Sequence, residues 1–156
     1  MKEKFIKLYM DWAVRTAELS HARRLHVGAV IVKDDTVISY GYNGMPAGWD
    51  NNCEYEVTEF QTEYGVGSKL VKTGELKTKP EVLHAESNAI AKLARSTNSG
   101  LGADLFVTHS PCLDCAKLIY QSGISRVWFG SHYRDDAGID FLKKSGVEVI
   151  KVDNQE

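Results

Sequence analysis

The chain has 156 residues, of which 43% are hydrophobic and 26% charged, and its formal net charge is −2. These values are typical of a globular protein with its own core, so we expect one domain over residues 1–156. The slightly negative charge argues against a general nucleic-acid binder, and no apolar run reaches the roughly 18 residues of a membrane-spanning helix. The charged N-terminus differs from a secretory signal, and three cysteines do not make a disulfide framework. We therefore expect a cytoplasmic protein without membrane or nucleic-acid partners.

The first part of the chain predicts a helix followed by a β-hairpin. Apolar residues recur at three- and four-residue spacing from Lys4 to Ser20, which indicates an amphipathic helix. Residues 26–33 and 36–41 are β-rich and flank Asp34-Asp35, a pattern typical of a hairpin. Glycine and proline predict a loop over residues 41–48.

The second part alternates between helices and strands. Residues 49–81 are polar and weakly patterned, and we interpret them as an insertion that is functional or partly ordered. The alternating elements are helices over 86–94, 112–122 and 136–145, and strands over 104–108, 126–129 and 147–152. Alternation favours parallel pairing, whereas the first hairpin is antiparallel. We expect an α/β fold with a mixed sheet of about five strands between helices.

Two short motifs carry metal-site chemistry. H-x-E, with His84 and Glu86, precedes P-C-x-x-C, with Pro111, Cys112 and Cys115. One imidazole and two thiolates give a tetrahedral zinc three protein ligands, so the fourth position stays open for a water whose pKa the metal lowers. We expect the proline in the first turn of a helix and the two cysteines one turn apart at its positive end, which favours thiolates. Glu86 is the expected catalytic proton carrier.

Other interpretations of these motifs stay open from the residues alone. C-x-x-C also occurs as a redox pair, and a structural zinc module would recruit Cys53 as a fourth ligand. The order, the spacing and the proline favour an open catalytic site. A zinc-stabilised binding domain is the non-enzymatic alternative, and it has no use for the Glu86 carboxylate beside an open metal position.

Together, H-x-E and P-C-x-x-C are the signature of zinc-dependent nucleobase deaminases. The chain resembles the cytidine/deoxycytidylate deaminase superfamily from about Phe5 to Val152. The matching segments are Val27–Val32, Gly41–Gly48, Leu83–Ile90 and Val107–Lys117. The Gly-Tyr-Asn-Gly-Met-Pro sequence at 41–46 points to the dCMP branch.

The resemblance implies a fold and a reaction. The family's fold is a three-layer α/β/α sandwich, and its members bind one catalytic Zn²⁺ with residues that match His84, Cys112 and Cys115. The implied reaction is hydrolytic deamination of dCMP to dUMP and ammonia, which supplies thymidylate synthesis. A tRNA adenosine deaminase or a free cytidine deaminase on the same scaffold is the alternative enzyme.

The resemblance also implies substrate contacts. The backbone around Ala85 and Ser110 is expected to hold the base, and Asn43 to contact the sugar hydroxyl. The alternative for Asn43 is a left-handed turn beside Gly44. His109 is expected to shape the pocket.

A 5′-phosphate needs cations or N–H donors. We expect Tyr133 and Arg134 to supply them first, and the pair Arg23 and Arg24 next. For each arginine the alternative is a solvated surface charge.

Members of the dCMP branch are commonly hexamers that dCTP activates and dTTP inhibits, with Mg²⁺ on the triphosphate. The resemblance places this second nucleotide site at Tyr42, Asn43, Gly44 and Met45, with Arg95 nearby. The alternatives are a tight loop that shapes the substrate pocket and, for Arg95, a helix C-terminal cap.

The insertion departs from relatives that carry a second, structural zinc site. It offers only Cys53 and no histidine before His84, so a second zinc site is not expected. We expect Cys53 to be a buried or free thiol and its neighbour Glu54 to be polar scaffolding.

Overall fold

A computed structural model describes residues 1–65 and 67–153. Four helices, one five-stranded sheet and one separate two-stranded sheet make up its regular structure. In chain order the elements are α1 (Glu3–Ala17), β1 (Gly28–Lys33), β2 (Thr36–Tyr42), β3 (Glu54–Glu63), β4 (Gly67–Thr78), α2 (Ala85–Ala94), β5 (Asp104–His109), α3 (Leu113–Gln121), β6 (Arg126–Ser131), α4 (Ala137–Lys144) and β7 (Glu148–Lys151).

The large sheet is mixed, as the sequence predicts. Its strand order is β2-β1-β5-β6-β7, with β1 antiparallel to both neighbours and β5, β6 and β7 parallel to one another. Asp34 and Asp35 join β1 to β2 with φ of 50° and 54°. Two positive φ values in succession give a turn whose twist matches the paired strands, so the predicted hairpin is confirmed.

Helices cover both faces of this sheet. Alternate side chains of a strand point to opposite faces, and the core is accordingly divided into two clusters. The α1 side contains Tyr9, Met10, Ala13, Val30, Val32, Phe106 and Trp128. The opposite side joins α2, α3 and α4 to Ala29, Ile31, Leu105, Val107, Val127 and Phe129. The three-layer α/β/α prediction is therefore confirmed.

The insertion at 49–81 contains a long β-hairpin, which its sequence pattern did not indicate to us. β3 and β4 pair from Glu54↔Thr78 at the root to Glu63↔Gly67 at the far end. Gly74 has a φ of 79°, within the stretch of β4 where the register shifts, and glycine adopts this conformation without steric cost. Among the described residues, these two strands form hydrogen-bonded ladders only with each other.

Element boundaries differ from the predicted ones by a few residues, as helix ends commonly do. One difference affects the site: α3 begins at Leu113, with Cys112 as its N-cap. Pro111 therefore lies before the helix and not in its first turn. The strand β2 also continues through Tyr42, into the predicted loop.

Within residues 1–65 and 67–153, none of the helices has both the length and the apolar character that crossing a bilayer requires.

Candidate metal centre and cavity

Two helix N-termini meet at one edge of the sheet and bring three metal-ligand side chains together. His84 is the N-cap of α2, and Cys112 is the N-cap of α3, just beyond the carboxyl end of β5. Neither side chain caps its own helix. The His84 Nδ1 lies 3.5 Å from the Cys112 Sγ and 3.4 Å from the Cys115 Sγ.

These distances fit a tetrahedral zinc ion. Bond lengths of about 2.3 Å to sulfur and about 2.05 Å to nitrogen imply a nitrogen–sulfur separation of roughly 3.6 Å at the tetrahedral angle. The three ligand atoms all lie within 4.8 Å of one another. Among the described residues, this is the one group of three or more such side chains close enough to hold a metal. Three protein ligands would leave a tetrahedral ion one coordination position for a water.

The electrostatics of the trio favour metal binding. A hydrogen bond from the Cys115 thiol, followed by one from His84, lowers the pKa of Cys112 to about 4. The same thiol–thiolate bond, together with burial, raises the pKa of Cys115. The hydrogen bond with Cys112 raises the pKa of His84. Cys112 would therefore already be a thiolate when a metal ion arrives, and binding of the metal would release the remaining protons.

Glu86 lies in the first turn of α2, and only 4% of its surface is exposed. Burial raises the pKa of this carboxyl from 4.5 to about 7, because water no longer solvates the charged form. The helix backbone and the nearby His84 oppose that effect in part. A carboxyl with a pKa near neutrality is suited to both accept and donate a proton.

A cavity of about 280 Å³ joins the metal site to two arginines. Its lining residues are Ala22, Arg24, Leu25, Val27, Asn43, Glu54, Thr78, Val82, His84, Ala85, Glu86, His109, Ser110, Cys112, Tyr133 and Arg134. This set contains every substrate residue expected from the sequence except Arg23. Residues from both halves of the chain and from the hairpin root thus face one space.

Ser110 and Tyr133 are held together at the wall of the cavity. The Ser110 hydroxyl accepts a 2.7 Å hydrogen bond from the Tyr133 backbone N–H. The Ser110 N–H donates to the Ser131 carbonyl, at 2.8 Å. Ser110 therefore fixes the segment after β6, which carries Tyr133 and Arg134, in addition to facing the cavity itself.

Asn43 crosslinks backbone segments and does not form a left-handed turn. Its Oδ1 accepts a hydrogen bond from the Val27 N–H at 2.8 Å, and its Nδ2 donates to the Leu25 carbonyl at 2.8 Å. Among the described non-glycine residues, positive φ occurs only at the β1–β2 turn. The left-handed interpretation of Asn43 is therefore wrong, and the side chain shapes the wall that it lines.

The two adjacent arginines have different surroundings. Arg23 donates from Nε to the Glu54 carboxylate, at 3.4 Å, and from a terminal nitrogen to Asn52, at 3.1 Å. Arg24 lines the cavity and donates to the Thr78 hydroxyl at 3.2 Å. Glu54 is 1% exposed, and its role as polar scaffolding is confirmed.

The residues expected at a second nucleotide site lie outside the cavity lining, apart from Asn43. Gly44 exchanges backbone hydrogen bonds with Leu83, the residue before His84, at 3.1 and 2.8 Å. The Tyr42 carbonyl accepts a hydrogen bond from Asn88 of α2, at 3.2 Å. Arg95 is the C-cap of α2, as one of its two interpretations expects. The loop is thus hydrogen-bonded to the helix that carries His84 and Glu86.

His109 and Cys53 lie where the sequence predicts them. His109 lines the cavity, and burial lowers its pKa. Cys53 is a free thiol with 1% of its surface exposed, which confirms the expectation of a buried thiol.

Two glycines position the metal ligands in a way that the sequence does not indicate. A Cβ atom on Gly138 of α4 would lie 2.0 Å from the Pro111 carbonyl oxygen and 2.9 Å from the Cys112 carbonyl carbon. A Cβ atom on Gly41 would lie 2.3 Å from the Ala85 carbonyl oxygen. Both positions need the absence of a side chain, and only the tertiary contacts reveal this, because neither glycine has a positive φ.

Comparisons with known proteins agree with this geometry. The family described as "Cytidine and deoxycytidylate deaminase zinc-binding region" matches residues 3–131. The deoxycytidylate deaminase of Enterobacteria phage T4 is 39% identical, and the match covers 81% of this chain and 78% of that protein. The human deoxycytidylate deaminase is 34% identical, and the match covers 83% of this chain and 71% of that protein.

A solved structure is similar over nearly the whole chain. It is the crystal structure of dCMP deaminase from the cyanophage S-TIM5 in complex with dCMP and dUMP. The match has a TM-score of 0.83 and 39% identity, and it covers 97% of this chain and 99% of the other.

Proposed function

This chain belongs to the cytidine and deoxycytidylate deaminase family, and from that premise we propose that it hydrolyses dCMP to dUMP and ammonia. One observation carries the proposal: a single cavity is lined by His84 and Cys112 of the metal site, by the buried Glu86, and by the cations Arg24 and Arg134. The phage T4 and human relatives are deoxycytidylate deaminases, and the similar cyanophage structure holds dCMP and dUMP. The full chain would act as one catalytic domain.

One zinc ion per chain, held by His84, Cys112 and Cys115, would supply a Lewis acid and lower the pKa of a water molecule in the open position. Glu86 would accept a proton from the attacking water and deliver it to the N3 ring nitrogen. It would then assist transfer of a second proton to the exocyclic amine, which leaves C4 as ammonia. Its burial excludes bulk water, and its raised pKa places it near neutrality.

The remaining cavity residues would bind the nucleotide. The backbone at Ala85 and Ser110 would hold the amine and carbonyl edge of the base. The side chain of Asn43 would contact the sugar hydroxyl with the hydrogen-bonding capacity that its two backbone partners leave.

The 5′-phosphate would be bound by cations and a phenol. Tyr133, Arg134 and Arg24 all line the cavity, which supports their assignment. Arg23 pairs with Glu54 and lies outside the lining, so we assign it to holding the segment in place.

We also propose regulation and assembly in the manner of the dCMP branch. dCTP with Mg²⁺ would activate the enzyme and dTTP would inhibit it, at Tyr42, Asn43, Gly44, Met45 and Arg95 of a hexamer. The hydrogen bonds between Gly44 and Leu83 support this, because they connect the loop to the residue before His84. A sigmoidal dependence of rate on dCMP that dCTP makes hyperbolic is the expected result, whereas simple saturation unaffected by either effector contradicts regulation.

We place the protein in the cytoplasm. All three cysteines are unpaired, and two of them belong to the metal site, which supports a reducing compartment.

The test is ammonia release by the zinc-loaded protein from dCMP, CMP, deoxycytidine and a tRNA anticodon stem, each with and without dCTP and Mg²⁺. We expect turnover of dCMP, and loss of that turnover in Glu86→Gln with zinc content and fold unchanged. Turnover of another substrate but not dCMP would reject the assignment to the dCMP branch. Unfolding or zinc loss in the Glu86→Gln variant would reject the role given to Glu86.

A further inference from the structure

We propose that the root of the inserted hairpin is part of the nucleotide site, and that Glu54 is a positioning residue that aims Arg24 at the phosphate. This inference rests on the proposed function, because it takes a nucleoside monophosphate as the ligand of the cavity. The sequence predicts only that the insertion is functional or partly ordered, and the proposal gives its root a specific role.

Glu54 is a fully buried carboxylate at the start of β3. One of its oxygens accepts hydrogen bonds from two successive backbone N–H groups, those of Arg23 at 2.7 Å and Arg24 at 3.1 Å. The other accepts from the Arg23 Nε at 3.4 Å. Because burial of a carboxylate is costly, these contacts must offset a large loss of hydration. They tie a segment 30 residues earlier in the chain to the root of the hairpin.

Thr78 lies directly opposite Glu54 in the hairpin ladder and contacts the side chain of Arg24. Its hydroxyl accepts a hydrogen bond from the Arg24 guanidinium at 3.2 Å. Glu54, Thr78 and Arg24 all line the cavity. The first rung of the hairpin therefore fixes the backbone of Arg24 from one strand and the guanidinium from the other.

The charges around the two arginines are not equivalent. The Glu54 carboxylate pairs with Arg23, and among the described residues no carboxylate lies within ion-pair distance of Arg24. Thr78 orients the Arg24 guanidinium through a neutral hydroxyl, so its positive charge is not neutralised. A held but uncompensated guanidinium is suited to a phosphate, since a free arginine side chain would lose rotamer entropy when binding orders it.

The experiment measures how much the 5′-phosphate contributes to binding. Calorimetry gives the dissociation constants of dUMP and of deoxyuridine for the zinc-loaded protein, and their ratio isolates the phosphate. We expect the wild-type protein to prefer dUMP, and Glu54→Gln to reduce that preference about tenfold while binding of deoxyuridine stays the same. Glu59→Gln, an exposed carboxylate farther along β3, is the matched control and should retain the full preference.

Thr78→Val provides a second variant that leaves the buried carboxylate in place. Thr78 is exposed, so the fold should tolerate the change, and we expect a loss of preference of about threefold. Arg24→Ala combined with Glu54→Gln should be no worse than Arg24→Ala alone, since both act through the same guanidinium.

The outcomes separate this inference from the proposed function. A wild-type protein that binds deoxyuridine as tightly as dUMP contradicts the phosphate contact, and both fall. A wild-type preference for dUMP that persists in Glu54→Gln and Thr78→Val overturns the positioning role alone. Equal weakening of dUMP and deoxyuridine in both variants also overturns it, because that pattern indicates general damage to the site.

Discussion

Replacing Glu86 with glutamine is expected to stabilise the zinc-free protein at alkaline pH. Burial raises the pKa of this carboxyl from 4.5 to about 7, so the folded state binds its proton more tightly than the unfolded state does. The stability that the protonated carboxyl contributes is fully present below pH 4.5 and is lost as the pH rises through about 7. Glutamine keeps the shape of the side chain and never ionises.

The magnitude follows from the change in pKa. At 1.36 kcal/mol for each pKa unit, the rise from 4.5 to about 7 corresponds to roughly 3 kcal/mol at pH 8, and to almost nothing at pH 4. Because only 4% of Glu86 is exposed, solvent screening reduces this value little. The extra free energy of unfolding of Glu86→Gln over the wild type should therefore grow between pH 4 and pH 8.

The assay is urea unfolding of both proteins after chelation of zinc, at several values between pH 4 and pH 8. Saturating zinc should shrink the difference, because a nearby cation stabilises the Glu86 carboxylate and opposes the effect of burial. A difference that is zero at pH 8, or equally large at pH 4 and pH 8, would refute the reasoning. The variant should be inactive throughout, so that the residue trades stability for catalysis.

Three further outcomes are expected. Gly138→Ala should displace the Cys112 backbone and weaken zinc binding about tenfold or more, measured by competition with a chromogenic chelator, since the added Cβ would lie 2.9 Å from the Cys112 carbonyl carbon. Asp104→Ala should lower the free energy of unfolding by about 2 kcal/mol in urea titrations, because it removes the buried partner of the partly exposed Arg126. Burial lowers the pKa of His109 from 6.5, so the stability that its neutral form contributes is lost as the pH falls below 6.5. His109→Asn should therefore make acid unfolding less steep, as followed by circular dichroism.

Matched controls distinguish these mechanisms from general damage. Ala137→Ser changes the exposed neighbour of Gly138 and should leave zinc affinity unchanged. Glu18→Ala breaks an exposed ion pair with Arg15 and should cost at most about 0.5 kcal/mol. A loss of zinc affinity in Ala137→Ser as large as that in Gly138→Ala, or equal losses of stability in Glu18→Ala and Asp104→Ala, would contradict the respective explanation. An acid transition equally steep in wild type and His109→Asn would do the same for the histidine.

Local patterns in the sequence predict much of this fold. Apolar periodicity and β-branched runs predict every helix and all five strands of the main sheet, because amphipathic faces must be buried against one another. They fail at the hairpin of residues 54–78, whose side chains are mostly exposed. A hairpin that is not packed into the core shows no clear apolar face, so hydrophobic periodicity misses it.

The metal centre could be recognised from the sequence because its chemistry depends on residue type and spacing. A histidine and two cysteines at this spacing predict the metal ligands before any coordinates are known, and the nearby carboxylate is the proposed proton carrier. Their convergence within 4.8 Å adds geometry to an assignment already made.

Only the tertiary structure decided what surrounds that centre. Arg23 and Arg24 are neighbours of identical type, and no local pattern tells which one pairs with Glu54 and which one faces the cavity. Likewise Gly138 is an ordinary helical glycine until Pro111 is seen against it. A metal ligand is identified by the type of a single residue and its place in a short motif. Close approach and charge pairing depend instead on segments far apart in the chain, and such segments meet only when the core packs.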